Sequence, residues 1–270
     1  MIMTESLLKR FNVNVFGNGK QPMVFAHGLG CDQVMWRFIT PAFEKDYKII
    51  LFDYIGSGKS DPTYYDKEKY SSLQGYANDI LEIAETLGLT NIIFAGHSVS
   101  AMTGLLAAIS APELFSKIIM IGPSPCYIND KYYTGGFEKK ELEDMLEVMG
   151  KNFYSWAQSF APIVMQNAER PGLTSELEDR MCQSDPAITH DFAGASFFAD
   201  HRNDLPKLKI PSLIMQCSED ILAPVQVGEY MQTKMPGSTL QLMKATGHCP
   251  HLSAPQETIE IMKQFLREDI

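Results

Sequence analysis

Six strand-length apolar runs constrain this 270-residue chain more than any other feature. They are Pro22–Ala26, Lys48–Phe52, Asn91–Ala95, Lys117–Ile121, Pro211–Cys217 and Thr239–Met243. Several are nearly continuous in Ile, Val, Phe and Leu, with no polar alternation. A strand reads this way when both its faces are covered, as inside a parallel sheet. Phe11–Phe16 alternates instead and fits an outer, partly exposed strand. Helical patterns lie between the runs. Leu73, Tyr76, Ile80, Ile83 and Leu87 recur at steps of three and four, which gives one apolar face, and Gly88 follows as a C-cap. Ile259, Met262, Phe265 and Leu266 mark a closing helix. Alternating strands and helices predict an α/β fold, a mostly parallel central sheet flanked by helices with right-handed crossovers.

One interval breaks that rhythm. Between Ile121 and Pro211 no buried strand is legible. Helical stretches appear instead around Glu138–Met149, Asn152–Met165, Ser175–Cys182 and Pro186–Asp200. They carry Phe137, Leu142, Leu146, Phe153, Trp156, Phe160, Phe197 and Phe198 nearby or within them. The expected organisation is a core of residues 1–123 and 206–270, with residues 124–205 inserted between two core strands.

Composition removes several function classes. At 45% hydrophobic residues and 10% aromatics, the chain is too apolar to be disordered. With 33 acidic against 23 basic residues it lacks the basic footprint that nucleic acid requires, and it suits anionic membrane surfaces poorly. No apolar stretch approaches the roughly 18 residues of a membrane span. Met1–Arg10 mixes Glu, Lys and Arg without an apolar run, so no signal peptide is visible. Cys31, Cys126, Cys182, Cys217 and Cys249 are odd in number, widely scattered and free of C-x-x-C pairs. They read as free thiols in a reducing cytosol, which makes a cytoplasmic location the expectation, and not as a disulfide framework or a zinc site.

The chemistry concentrates at Gly96-His97-Ser98-Val99-Ser100. This segment follows the run Asn91–Ala95 and precedes the small-residue helix Ala101–Ile109. A sharp strand-to-helix turn thrusts a nucleophilic serine outward and demands small neighbours. Gly96 meets the demand on one side, and Ser100 stands on the other where a glycine is usual. A serine hydroxyl needs a base to take its proton. In folds built around such a turn, the acid and then the base follow later strands in the order Ser, Asp, His. Asp220 comes just after Pro211–Cys217, and His248 comes after Thr239–Met243. Glu219 competes for the acid and His251 for the base, and His248, Cys249 and His251 together carry a weak metal-ligand reading that lacks a further partner at metal spacing. Donors for a developing oxyanion are expected at the backbone N–H of Val99, beside the nucleophile, and of Leu29, in the loop His27-Gly28-Leu29-Gly30. His27 reads as a brace for that loop.

Two motifs fail. Gly58-Lys59-Ser60 resembles the end of a phosphate loop, but Asp53 occupies the required upstream glycine. Gly28 and Gly30 begin a dinucleotide fingerprint that Gln33 breaks. No cofactor and no metal are expected.

Taken together, several segments resemble the RsbQ group, bacterial energy-stress regulators of the α/β-hydrolase superfamily related to the plant karrikin and strigolactone receptors. They are His27–Gln33, Leu51–Gly58, Gly96–Ala101, Gly122–Tyr127, Gly135–Glu138 and Gly247–His251. The resemblance runs essentially end to end, and Ser100 is closer to the plant receptors' pattern. It implies an α/β-hydrolase core, a four-helix V-shaped lid over a deep apolar pocket, and a Ser98, Asp220, His248 triad. It also implies that Leu29, Phe137, Trp156, Phe160 and Phe197 line the pocket. A small hydrophobic ester or lactone is the implied ligand, hydrolysed in a way coupled to signalling. The implied partner is a phosphatase of the RsbP type feeding a general-stress sigma-factor cascade.

Overall fold

The computed structural model describes residues 2–267. Seven strands form one sheet: β1 (Asn14–Phe16), β2 (Pro22–Ala26), β3 (Lys48–Leu51), β4 (Ile92–His97), β5 (Phe115–Ile121), β6 (Ser212–Glu219) and β7 (Ser238–Thr246). Their order is β1-β3-β2-β4-β5-β6-β7, with β1 antiparallel to β3 and the other neighbours parallel. All six apolar runs became strands. The doubly covered reading holds best in the centre, where every residue of β2 and β4 is buried.

Strand periodicity sorts the side chains onto two faces. Val24, Ile50, Phe94, Ile118 and Ile214 pack beneath the helices α2 (Leu73–Thr86), α3 (Val99–Ser110) and α8 (Val225–Lys234). Met23, Ile49, Ile93, Ile119 and Leu213 face the other way, against Trp36, Ile39 and Phe43 and against the closing helix Pro255–Arg267. One-residue alternation along a strand thus builds two apolar layers, which is why the runs look continuous.

Two edge elements differ from expectation. The predicted strand Phe11–Phe16 shrinks to Asn14–Phe16, all exposed, after an N-terminal helix α1 (Ile2–Arg10). Asn12 takes a positive φ of 46°, which breaks extension there and leaves Phe11 buried in the core. The last strand, β7, is longer than its apolar run and largely exposed or half-buried, because it has a neighbour on one side alone.

Four helices lie in the chain between β5 and β6: α4 (Lys139–Lys151), α5 (Phe153–Met165), α6 (Pro171–Gln183) and α7 (Pro186–Phe197). Asn152 caps α5 and Asp185 caps α7 through side-chain acceptors, while Pro171 and Pro186 occupy first-turn positions that need no N–H. These helices bury a third apolar cluster with Cys31, Met35, Leu222, Cys249 and Leu252 of the sheet-borne loops. Ion pairs Arg180–Asp32 and Arg37–Glu176 tie α6 to the segment after β2. Among the described residues no helix is long and apolar enough to cross a membrane.

Candidate active site

In an open parallel sheet, ligands bind where the chain's path reverses direction across the strand order, at the carboxyl ends of the strands. Here that point lies between β2 and β4: β3 sits on one side of β2, and β4 on the other begins the run toward β7. Leu29 follows β2 and Ser98 follows β4, so the topology sets the loop after β2 beside the serine.

Ser98 holds φ 57° and ψ −123°, a strained conformation for a residue with a side chain. Its amide donates to the carbonyl of Ile121 at 2.8 Å, which fixes the turn from the neighbouring strand. The turn is tight: a Cβ on Gly96 would stand 2.5 Å from the Ser100 carbonyl oxygen, so no larger residue fits there. Ser100 has a different role from the glycine it replaces. Its hydroxyl donates to the His27 carbonyl and also contacts the Tyr54 hydroxyl at 3.1 Å, so it pins α3 to the loop after β2. His27 braces that loop from within, accepting from the Tyr54 amide at Nε2, 3.1 Å away.

The three residues expected from strand order converge. His248 Nε2 lies 2.7 Å from Ser98 Oγ, and His248 Nδ1 lies 2.7 Å from Asp220 Oδ2. The second Asp220 oxygen accepts from the backbone amides of Leu222 (2.9 Å) and Ala223 (3.2 Å). All three side chains are buried. The competitors go elsewhere. The Glu219 side chain is exposed at the end of β6, and its carbonyl receives the Gly247 amide at 2.8 Å. His251 packs against Trp36 and His97 with ring centroids 4.9 and 4.3 Å away, and burial pushes its pKa down to about 3. Burial also pushes the Cys31 and Cys249 thiols up, so these two cavity-lining cysteines stay protonated and weakly nucleophilic.

Above Ser98 lies a small, mostly apolar cavity. Leu29, Phe160 and Phe197 line it, together with Val164, Leu177, Met181 and Leu222. Trp156 and Phe137 do not. Trp156 stacks behind Phe160 at 4.9 Å, one layer out, because α5 turns its neighbour's ring inward. Phe137 lies before α4, where backbone bonds to Tyr127 and Asn129 hold it half-buried at the periphery. The sequence reading missed Tyr127 and Ser196, the polar members of the lining besides Ser98 and the histidines. The Tyr127 hydroxyl meets both the Ser98 and Ser196 hydroxyls, and burial raises its pKa. Tyr127 stood inside the Gly122–Tyr127 segment, but nothing in local spacing says where an irregular segment aims a side chain.

Val99 begins α3, and the first amides of a helix have no intrahelical acceptor. Its N–H is therefore available beside Ser98. The positions that broke the two nucleotide motifs have structural work. Asp53 accepts from the amides of Gln33 (2.9 Å) and Lys59 (3.0 Å) and from Asn12 (2.7 Å), and Gln33 bonds Asn12 and Asn14. Together they fasten the loops after β2 and β3 to the N-terminal segment.

The chain is similar to known proteins over almost its whole length. The sequence pattern described as the α/β hydrolase fold matches residues 21–255. A karrikin insensitive 2 receptor of Petunia hybrida is 37% identical over 260 residues, covering 96% of each chain. A strigolactone esterase of Arabidopsis thaliana is 36% identical, covering 97% of this chain and 98% of its own. The structure of a hydrolase from Oleispira antarctica superimposes with a TM-score of 0.96 at 41% identity, covering 98% of both. From the elbow, the strand order and this end-to-end similarity, the chain belongs to the α/β-hydrolase fold family.

Proposed function

We propose that the protein hydrolyses a small, largely apolar ester or lactone, with Ser98 as nucleophile, His248 as base and Asp220 as its orienting acid. The observation that carries this reading is the unbroken relay Asp220–His248–Ser98, 2.7 Å at each step, opening into a mostly apolar cavity. Ser98 Oγ attacks the carbonyl carbon while His248 Nε2 takes its proton. Asp220 stabilises the imidazolium and fixes the ring with its proton on Nδ1. The oxyanion receives the Leu29 and Val99 N–H groups. Collapse of the intermediate releases an alkoxide, which takes the proton back from His248 and leaves an acyl-enzyme for water to cleave. In a lactone the leaving hydroxyl stays on the acyl chain.

Residues 124–205 act in this reading as a lid, and its four helices select what reaches Ser98. Support comes from α5, α6 and α7, which contribute Phe160, Val164, Leu177, Met181, Ser196 and Phe197 to the cavity wall. The test is hydrolysis of p-nitrophenyl acetate by the protein and by Ser98→Ala. Removing the nucleophile lowers turnover by at least the ~10²–10⁴-fold that a positioned base supplies. Retention of full activity by Ser98→Ala refutes the assignment.

A second reading makes turnover serve signalling, as the RsbQ-like segments imply, in the cytoplasm and through a phosphatase of the RsbP type in a stress-responsive sigma-factor pathway. It is favoured by the Petunia relative, whose name is that of a receptor. Affinity capture with the protein and with Ser98→Ala, with and without a hydrolysable ester, separates the two readings. A phosphatase retained in a ligand-dependent way supports signalling, and fast turnover with no retained partner supports metabolic hydrolysis.

A further inference from the structure

The serine turn, the oxyanion loop and the loop of the base must stay in register to within a fraction of an ångström. All three touch one side chain that the reaction steps above do not use. His97 is the last residue of β4, directly before Ser98, and is 2% exposed. Its Nε2 lies 2.8 Å from the main-chain carbonyl oxygen of His248, 151 residues away. A carbonyl oxygen only accepts, so Nε2 carries the proton and Nδ1 the lone pair. On that other edge the ring lies against the oxyanion loop: a Cβ on Gly28 would stand 2.6 Å from Nδ1, so only glycine lets the loop come this close. The ring also packs 5.0 Å from the His248 ring and 4.3 Å from His251, which itself lies over Trp36.

The peptide of the base is thereby held from both ends. The His248 amide donates to Val164 of α5 at 2.8 Å, and its carbonyl accepts from His97. Burial, reinforced by the neighbouring His251 and His248, keeps the His97 imidazole neutral. It therefore donates this bond throughout the pH range in which a hydrolase works.

We propose that His97 is a positioning residue: its Nε2–H holds the His248 main chain so that His248 Nε2 stays on line with Ser98 Oγ, while its opposite edge seats Gly28 and the oxyanion loop. This inference rests on the hydrolytic reading of Ser98, Asp220 and His248. Without the donor, the buried carbonyl of His248 has lost its partner and the loop relaxes away from the serine. A displacement of about 1 Å at a reacting group costs on the order of 10²-fold in rate.

The experiment compares His97→Leu, which fills the space without a donor, with His97→Gln, whose amide N–H reaches the same carbonyl. Ser98→Ala is the reference. Three quantities are read: kcat and KM for p-nitrophenyl acetate, the rate of Ser98 phosphonylation by a fluorophosphonate followed by intact mass, and the far-downfield proton resonance of the His248–Asp220 hydrogen bond. The expected result for His97→Leu is a kcat about 10²-fold lower with KM little changed. Phosphonylation slows in proportion and the downfield resonance shifts or broadens, whereas His97→Gln restores most of all three. Equal losses in the Leu and Gln variants, or wild-type kinetics in His97→Leu, overturn the positioning role. If His97→Leu does not fold, His97→Asn, whose amide is too short to span the gap, takes its place. Failure of the wild type to become phosphonylated at Ser98 instead overturns the hydrolytic reading itself. Labelling of the wild type but not of Ser98→Ala, with His97 variants unchanged, leaves that reading intact and removes the positioning role alone.

Discussion

Replacing Asp220 by Asn probes the site with the smallest change in shape. Asp220 Oδ1 accepts from the Leu222 and Ala223 amides at 2.9 and 3.2 Å, and Oδ2 accepts from His248 Nδ1 at 2.7 Å. Asparagine has one acceptor oxygen. The two fixed backbone donors claim it, since the opposite rotamer would set an NH2 group against two N–H groups. The amide nitrogen then faces His248 Nδ1 and donates, so the ring must carry its own proton on Nε2. In that tautomer Nε2 no longer accepts the Ser98 proton. The wrong tautomer in a triad of this kind lowers kcat by about 10⁴-fold, or about 5.5 kcal/mol at 1.36 kcal/mol per tenfold. Both backbone bonds survive, so stability changes by no more than the ~1 kcal/mol of one ordinary hydrogen bond. The assay is steady-state hydrolysis of p-nitrophenyl acetate alongside urea unfolding. Glu219→Gln is the control, because its side chain is exposed and its carbonyl makes the structural bond to Gly247. A loss of less than about tenfold in Asp220→Asn, or an equal loss in Glu219→Gln, refutes the orienting role argued from this geometry.

Two further outcomes follow from other parts of the molecule. Phe160→Ala opens the cavity on the side backed by Trp156, so relative kcat/KM should shift toward esters with bulkier acyl groups, at a stability cost of about 3–5 kcal/mol read by chemical denaturation. Asp79 is buried beside Lys69 and Tyr70, and burial outweighs both partners, raising its pKa to about 6. Above about pH 6 the charge is present in the folded state and burial penalises it. Below about pH 4 the group is neutral both folded and unfolded, and the penalty vanishes. The stability of Asp79→Asn relative to the native protein should therefore rise from pH 4 to pH 6 and level off above, as measured by urea unfolding at each pH. A difference that is flat across this window contradicts the buried-charge account.

The core strands were readable because burial on both faces leaves a local mark: Met23, Val24, Phe25 and Ala26 are apolar in succession, and they alternate between two apolar layers. The edges were less readable. In Asn14–Phe16 and Ser238–Thr246 exposure dilutes the pattern, and at Asn12 a single positive φ ended a strand that alternation alone would have extended. The convergence of Ser98, Asp220 and His248 was legible through order along the chain, since the end of each strand is a fixed kind of place in this fold. The cavity wall was not. Trp156 and Phe160 sit on one helix and look alike in sequence, yet Phe160 faces the cavity and Trp156 stacks behind it. Which ring points inward depends on how α5 is rolled against its neighbours.

The sequence by itself determined the alternation of strand and helix, the sharp turn at Ser98, and the succession Ser98, Asp220, His248, because each depends on local backbone preference or on position after a strand. Tertiary structure alone decided that Ser100 fastens α3 to the His27 carbonyl, that Tyr127 turns into the cavity, and that His97 reaches the His248 carbonyl across 151 residues. These are contacts between segments distant in the chain. Their distances are set by the register of the sheet and the packing of helices on it, to which a residue's sequence neighbours carry no signal.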